Sequence, residues 1–144
     1  MTLSIRHAKQ GFSLVEMLVV IFIIGIIAGV IGRAVYGGRQ KGRQLQAEGE
    51  LRAFKNAIES YDMDIGDYPD RLEDLITPPA DERANKWREG GYMDKKRFPK
   101  QDPWKNKYFY QLTPDAEEHP FELYSYGPKG KKAKRNEYID AWDL

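Results

Sequence analysis

The sequence predicts an α+β protein: a long amino-terminal helix, membrane-spanning in its first half, packed by its second half on a small antiparallel β-sheet. Three observations predict it. Residues 12–32 are apolar apart from Ser13 and Glu16 near their start. Residues 44–61 carry an apolar stripe at helical spacing, and two aromatic-rich stretches, 107–112 and 121–126, follow near the carboxy terminus. The expected division is a helix over 12–36 and a head over 37–144 that contains an amphipathic helix at 44–63.

The first helix follows from length. Phe12 to Gly32 is 21 residues, or about 31 Å at 1.5 Å per residue, matching the ~30 Å hydrocarbon core of a bilayer. From Met17 to Gly32 no side chain is charged or strongly polar. Arg6 and Lys9 precede the run, and Arg33, Arg39, Lys41 and Arg43 follow it, so local charge alone orients it poorly. A secretory signal peptide is the alternative; the run is longer than the usual apolar region, and no A-x-A-like cleavage site follows it. Gly37, Gly38 and Gly42 each cost roughly 1 kcal/mol against alanine in a helix, which predicts a bend or a locally melted stretch there.

The stripe Ala47, Leu51, Phe54, Ile58 and Tyr61 is spaced 4, 3, 4 and 3, with Glu48, Arg52, Lys55 and Glu59 on the other face. Asp67-Tyr68-Pro69 ends it, because the residue before a proline avoids helical angles. Arg71 to Ile76 reads as a helical turn or two closed by Pro78-Pro79, and Asp81 to Asp94 as a short helix around Trp87, stopped by Gly90-Gly91. The two strand candidates are separated by a polar connection with Pro114 and Pro120.

Composition excludes more than it selects. Net charge is +1 over 144 residues and there is no cysteine, so neither a polyanion partner for the whole surface nor a disulfide is implied. The histidines are His7 and His119; without cysteine or a G-x-S-x-G motif, no nucleophile and base pair assembles, and a membrane-tethered enzyme is disfavoured. Gly127-Pro128-Lys129-Gly130-Lys131-Lys132 lacks the spacing of a phosphate loop. Asp62, Asp64 and Glu73 fall at the first, third and twelfth places of a calcium-loop pattern, yet Gly66 and Asp67 reverse its order of ligand and glycine, which favours a solvated helix end.

Glu16 is the anomaly. A carboxylate inside a bilayer costs several kcal/mol unless paired or neutralised. Either it sits in the headgroup region, or it meets a cation at its own depth, such as a new amino terminus made by cutting just before Phe12.

Lys9-Gln10-Gly11 followed by Phe12-Ser13-Leu14-Val15-Glu16 and the apolar run resembles the class III signal of type IV prepilins and type II secretion pseudopilins. Tyr61-Asp62-Met63-Asp64-Ile65-Gly66-Asp67-Tyr68-Pro69, Leu72-Glu73-Asp74-Leu75, Asp102-Pro103-Trp104-Lys105-Asn106-Lys107-Tyr108 and Glu122-Leu123-Tyr124-Ser125-Tyr126-Gly127 extend the likeness to major pseudopilins over nearly the whole chain. The resemblance implies a type IV pilin-like fold and residues 1–11 as a leader. A prepilin peptidase would cut after Gly11 and methylate Phe12; Glu16 would then pair with the amino terminus of Phe12 of a neighbouring subunit.

It also implies the setting: a bacterial inner-membrane protein, single-pass, with its amino terminus cytoplasmic and its head periplasmic. The subunit would form a homopolymer with minor pseudopilins, lifted from the bilayer by an inner-membrane assembly platform and its cytoplasmic ATPase to drive export of folded proteins across the outer membrane. In such filaments the glycine-rich stretch can extend. No catalytic residue, no cofactor and no nucleic acid partner is expected.

The carboxy-terminal loop departs from the family. Major pseudopilins hold calcium there through carboxylates, and the matching positions here are Lys129 and Tyr138. An ammonium offers calcium no oxygen, so neither calcium nor another metal is expected. Lys129, or another of the five basic residues between Lys129 and Arg135, could instead pair with Glu137, Asp140 or main-chain carbonyls. The basic run also reads as a solvated loop, or as a contact for polyanions flanked by Tyr124, Tyr126 and Tyr138, as in a DNA-binding competence or type IV pilin-like subunit.

Overall fold

The computed structural model describes residues 13–114 and 116–144. The principal helix, α1, is Leu14–Ile65. It runs through Gly37, Gly38 and Gly42 without a break in helical structure, which corrects the expected locally melted stretch. A missing side chain removes no backbone hydrogen bond, so the propensity cost of glycine is spread along a helix that no proline interrupts. Two compact units divide between Gln40 and Lys41.

Helix α1 ends where the chain turns left-handed. Gly66 has φ +85° and its N–H donates to the Asp62 carbonyl at 2.7 Å, satisfying one of the carbonyls a helix end leaves open.

After α1 come two short 3-10 turns, Leu72–Leu75 and Glu82–Asn85. The second corrects the expected helix over 81–94. Three features stop it: the Trp87 indole N–H donates to the Asp74 carbonyl at 2.8 Å, and Gly90 and Gly91 take φ of +90° and +81°. A Cβ at Gly91 would meet the Leu75 carbonyl at 2.9 Å, so this position tolerates only glycine.

The sheet has three antiparallel strands in chain order: β1 Phe109–Leu112, β2 Phe121–Ser125 and β3 Ile139–Asp140. Tyr110 lies opposite Leu123 and Tyr124 opposite Asp140. The core joins the helix stripe to one face of β2. Ala47, Leu51, Phe54, Ile58 and Tyr61 are fully buried and Ile65 nearly so, with Leu75, Phe121, Leu123 and Ala141 completing it. Phe54 meets Phe98 and Tyr108 edge-on at 5.4 and 5.3 Å between ring centroids.

Burial raises the phenol pKa of Tyr61, Tyr68, Tyr92, Tyr108, Tyr110 and Tyr124; at Tyr108 a hydrogen bond with Glu50 adds to it. The unfolded chain releases these protons near pH 10 while the folded head retains them. Their stabilising contribution is therefore complete below about pH 10 and is lost as pH rises beyond it. Denaturation midpoints are expected to hold up to about pH 9 and then fall steeply, with tyrosinate absorbance appearing together with loss of the near-ultraviolet circular dichroism signal.

Candidate functional site

Two regions hold the candidate residues. The first is the apolar half of α1. Leu14–Ile31 is long and apolar enough to cross a membrane, and no side chain in it is buried against the protein. Glu16 is exposed in the first helical turn, where the helix dipole favours an anion. Gly11 and Phe12, the expected cleavage pair, lie outside the described residues.

The second is the carboxy-terminal loop, entered through a buried polar hub. Asp102 is 4% exposed. One carboxylate oxygen accepts the N–H groups of Trp104 and Asn106 at 3.0 and 2.8 Å; the other accepts the Ser125 hydroxyl at 2.6 Å. Ser125 Oγ in turn accepts the Gly127 N–H at 3.0 Å, and the Asn106 side-chain amide donates to the Gly127 carbonyl at 3.3 Å. The hub thus fixes both the 102–106 turn and the exit from β2. Asp102→Ala would strand several buried donors at once, and we expect a loss of about 2–4 kcal/mol in a denaturant titration of the full chain. Sequence reasoning missed this role, although aspartate followed by asparagine four residues on is a turn signal.

Beyond the hub, Gly127 and Gly130 take left-handed φ of +67° and +58°, and a Cβ at Gly130 would stand 3.0 Å from Asn106 Oδ1. Lys129 Nζ is paired with Glu137, whose other oxygen accepts the Lys134 N–H at 3.0 Å. These contacts hold the Glu137 carboxyl below its ordinary pKa, the Lys129 bond contributing most. Asp140 is held by Arg135 instead, at 3.3 Å, and the same guanidinium nitrogen lies 3.1 Å from Glu122. Sequence reasoning placed Arg135 in the basic run but did not connect it to Glu122.

Tyr138, at the other position matched to a calcium ligand, stacks on Tyr124 with centroids 4.7 Å apart and planes 19° apart. The residues of this loop do not suit calcium. Lys129 brings a positive charge, Tyr138 is committed to a ring stack, and Glu137, Asp140 and Glu122 already face cationic side chains. Among the described residues no three His, Cys, Asp or Glu side chains converge as a metal site would need, Asp62, Asp64 and Glu73 included.

Comparison with known proteins covers both regions. The family described as "Type II secretion system (T2SS), protein G" matches residues 34–142, and the "Prokaryotic N-terminal methylation motif" matches residues 6–32. The type II secretion system core protein G of Vibrio cholerae is 36% identical over 127 residues, covering 86% of this chain and 84% of that protein. Its namesake from Pseudomonas aeruginosa is 33% identical over 144 residues, covering 96% and 98%. The crystal structure of the major pseudopilin from the type 2 secretion system of enterohaemorrhagic Escherichia coli matches with a TM-score of 0.59 and 26% identity, over 76% of this chain and 94% of that one.

Proposed function

Since the chain belongs to the type II secretion protein G family, the major pseudopilins, we infer that it is a structural subunit of the pseudopilus. The family matches over residues 6–32 and 34–142, with the fold match over 76% of the chain, carry this reading. The subunit is not an enzyme, its relatives being structural components of the secretion machinery. The DNA-binding reading is not favoured: the comparisons point to secretion, and Lys129 and Arg135 of the basic run are engaged by carboxylates of the head itself.

The mechanism is one of storage and release. The apolar half of α1 anchors the precursor in the inner membrane, amino terminus in the cytoplasm and head in the periplasm. A prepilin peptidase cuts after Gly11 and methylates Phe12. Glu16 then enters an apolar helix bundle, where an unpaired carboxylate would cost several kcal/mol, so it joins only in the register that brings it to the amino group of a neighbouring Phe12. Minor pseudopilins start the fibre, and the assembly platform with its cytoplasmic ATPase supplies the work. Supporting this reading are the methylation-motif match over residues 6–32 and the exposed apolar surface from Leu14 to Ile31.

The test is genetic. In a bacterium deleted for its major pseudopilin and supplied with this chain and its cognate assembly platform, exported enzymes should pass from the periplasm to the medium. Retention in the periplasm despite normal accumulation of the processed chain would contradict the reading.

A further inference from the structure

The outer face of the sheet is covered by a loop built on two short 3-10 turns, Gly127–Lys132 and Arg135–Glu137. Phe121, Leu123 and Ser125 of β2 are buried in the direction of α1, so the alternating residues Glu122 and Tyr124 point to the opposite face. Tyr124 should be half wet there, yet it is 6% exposed. The cover is the loop from Gly127 to Asp140. Phe109 and Tyr138 both stack on Tyr124, at 4.6 and 4.7 Å between ring centroids, while Tyr126 meets Tyr124 and Tyr138 edge-on.

Arg135 closes the arrangement. Its guanidinium lies 4.6 Å from the Tyr124 ring centroid and 5.6 Å from that of Tyr138, and it bridges Glu122 of β2 to Asp140 of β3. Strand β3 is only two residues long, too short to hold itself in a sheet. It is secured by this bridge on one side and, past its end, by the Ala141 N–H to the Leu123 carbonyl at 2.9 Å and the Trp142 indole to the Phe121 carbonyl at 2.9 Å. Lys129 and Glu137 fasten the rim of the loop.

We propose that the Gly127–Asp140 loop is a metal-independent latch. In it the guanidinium of Arg135, lying on the Tyr124 and Tyr138 rings and joining Glu122 to Asp140, takes the place of a bound divalent cation. Chemistry supports the substitution. An arginine keeps its charge throughout the physiological range and presents a planar fork suited both to carboxylates and to aromatic faces. Calcium needs six to eight oxygens, and the carboxylates in the loop would have to abandon their own cations to supply them. The head therefore keeps its fold, and the subunit its competence to assemble, whatever the calcium concentration outside the cytoplasm.

The experiment is a thermal melt of the full chain in detergent micelles, read by tryptophan fluorescence. All three tryptophans, Trp87, Trp104 and Trp142, lie in the head, so the signal reports this unit and does not depend on whether the chain assembles into a pseudopilus. Melts in millimolar calcium and in excess EGTA should coincide within about 1 °C, and Arg135→Met should lower both midpoints by about 4 °C. Arg135→Lys, which keeps the charge but not the fork or the stack, should recover less than half of that loss. A midpoint that climbs with calcium and saturates, as mass action requires of a specific site, would overturn the proposal. So would an Arg135→Met midpoint equal to wild type. The calcium comparison uses the unaltered chain, so it decides even if Arg135→Met does not fold.

Discussion

Glu16→Ala is expected to leave processing intact and to remove the subunit from the fibre. The substitution lies in the first turn of α1, inside an apolar surface that no described residue of the subunit buries. In the bilayer, alanine is the better residue, so insertion and storage should not suffer. In the fibre the balance reverses. On the pairing proposed above, removing the carboxylate would leave the ammonium of a neighbouring Phe12 buried without a partner, and stranding one half of a buried pair costs about 3–5 kcal/mol. At 1.4 kcal/mol per decade, that is at least a hundredfold loss in the equilibrium for adding each subunit. Glu16→Gln, which can hydrogen-bond but not neutralise, should lie between. Immunoblots of sheared fibres against the membrane fraction measure both; equal fibre yield from Glu16→Ala would refute the role given to this side chain.

Phe54→Ala should be the most damaging single truncation in the head. Phe54 is completely buried where the α1 stripe meets Phe98 and Tyr108, both edge-on to it. Deleting the ring loses its transfer free energy and leaves a cavity that close packing does not collapse, about 3–5 kcal/mol together. A domain of this size is stabilised by about 5–15 kcal/mol in all, so roughly a fifth or more of its stability would go. The midpoint should fall by more than about 10 °C, with the near-ultraviolet signal of the aromatic core weakened. A surface control on the same helix, Arg52→Ala, should change the midpoint by no more than about 2 °C. Comparable losses for both substitutions would mean that the stripe is not the core.

What the sequence showed and what it hid follow from the range of the forces involved. The apolar run and the 4, 3, 4, 3 stripe are local periodicities, and every residue of that stripe is buried in the structure. The two longer strands were legible from their aromatics, though β1 starts two residues later and β2 ends one residue earlier than expected. The helix expected around Trp87 failed because a hydrogen bond from its indole to the Asp74 carbonyl, 13 residues away, joins the left-handed turns at Gly90 and Gly91 in redirecting the chain. Intrinsic propensity overstated the glycines near position 40, since a cost of about 1 kcal/mol each does not break a long helix.

The latch was the least legible part. Lys129 and Glu137 are eight residues apart and could be paired by inspection, but the Arg135 bridge needs the register that sets Tyr124 opposite Asp140. Strand β3 itself has too few residues to show a period. The Asp102 hub is hidden for a similar reason: its hydroxyl partner, Ser125, is 23 residues away.

The central claim is that this chain is a processed subunit of a secretion pseudopilus, and the mass of the subunit recovered from sheared fibres tests it most directly. The chain should be co-expressed with a prepilin peptidase and an assembly platform, the fibres collected, and the intact mass measured. We predict fibres built of a chain that begins at Phe12 and carries one added methyl group. Recovery of the intact precursor in membranes alone, with no fibres and no loss of residues 1–11, would contradict the account.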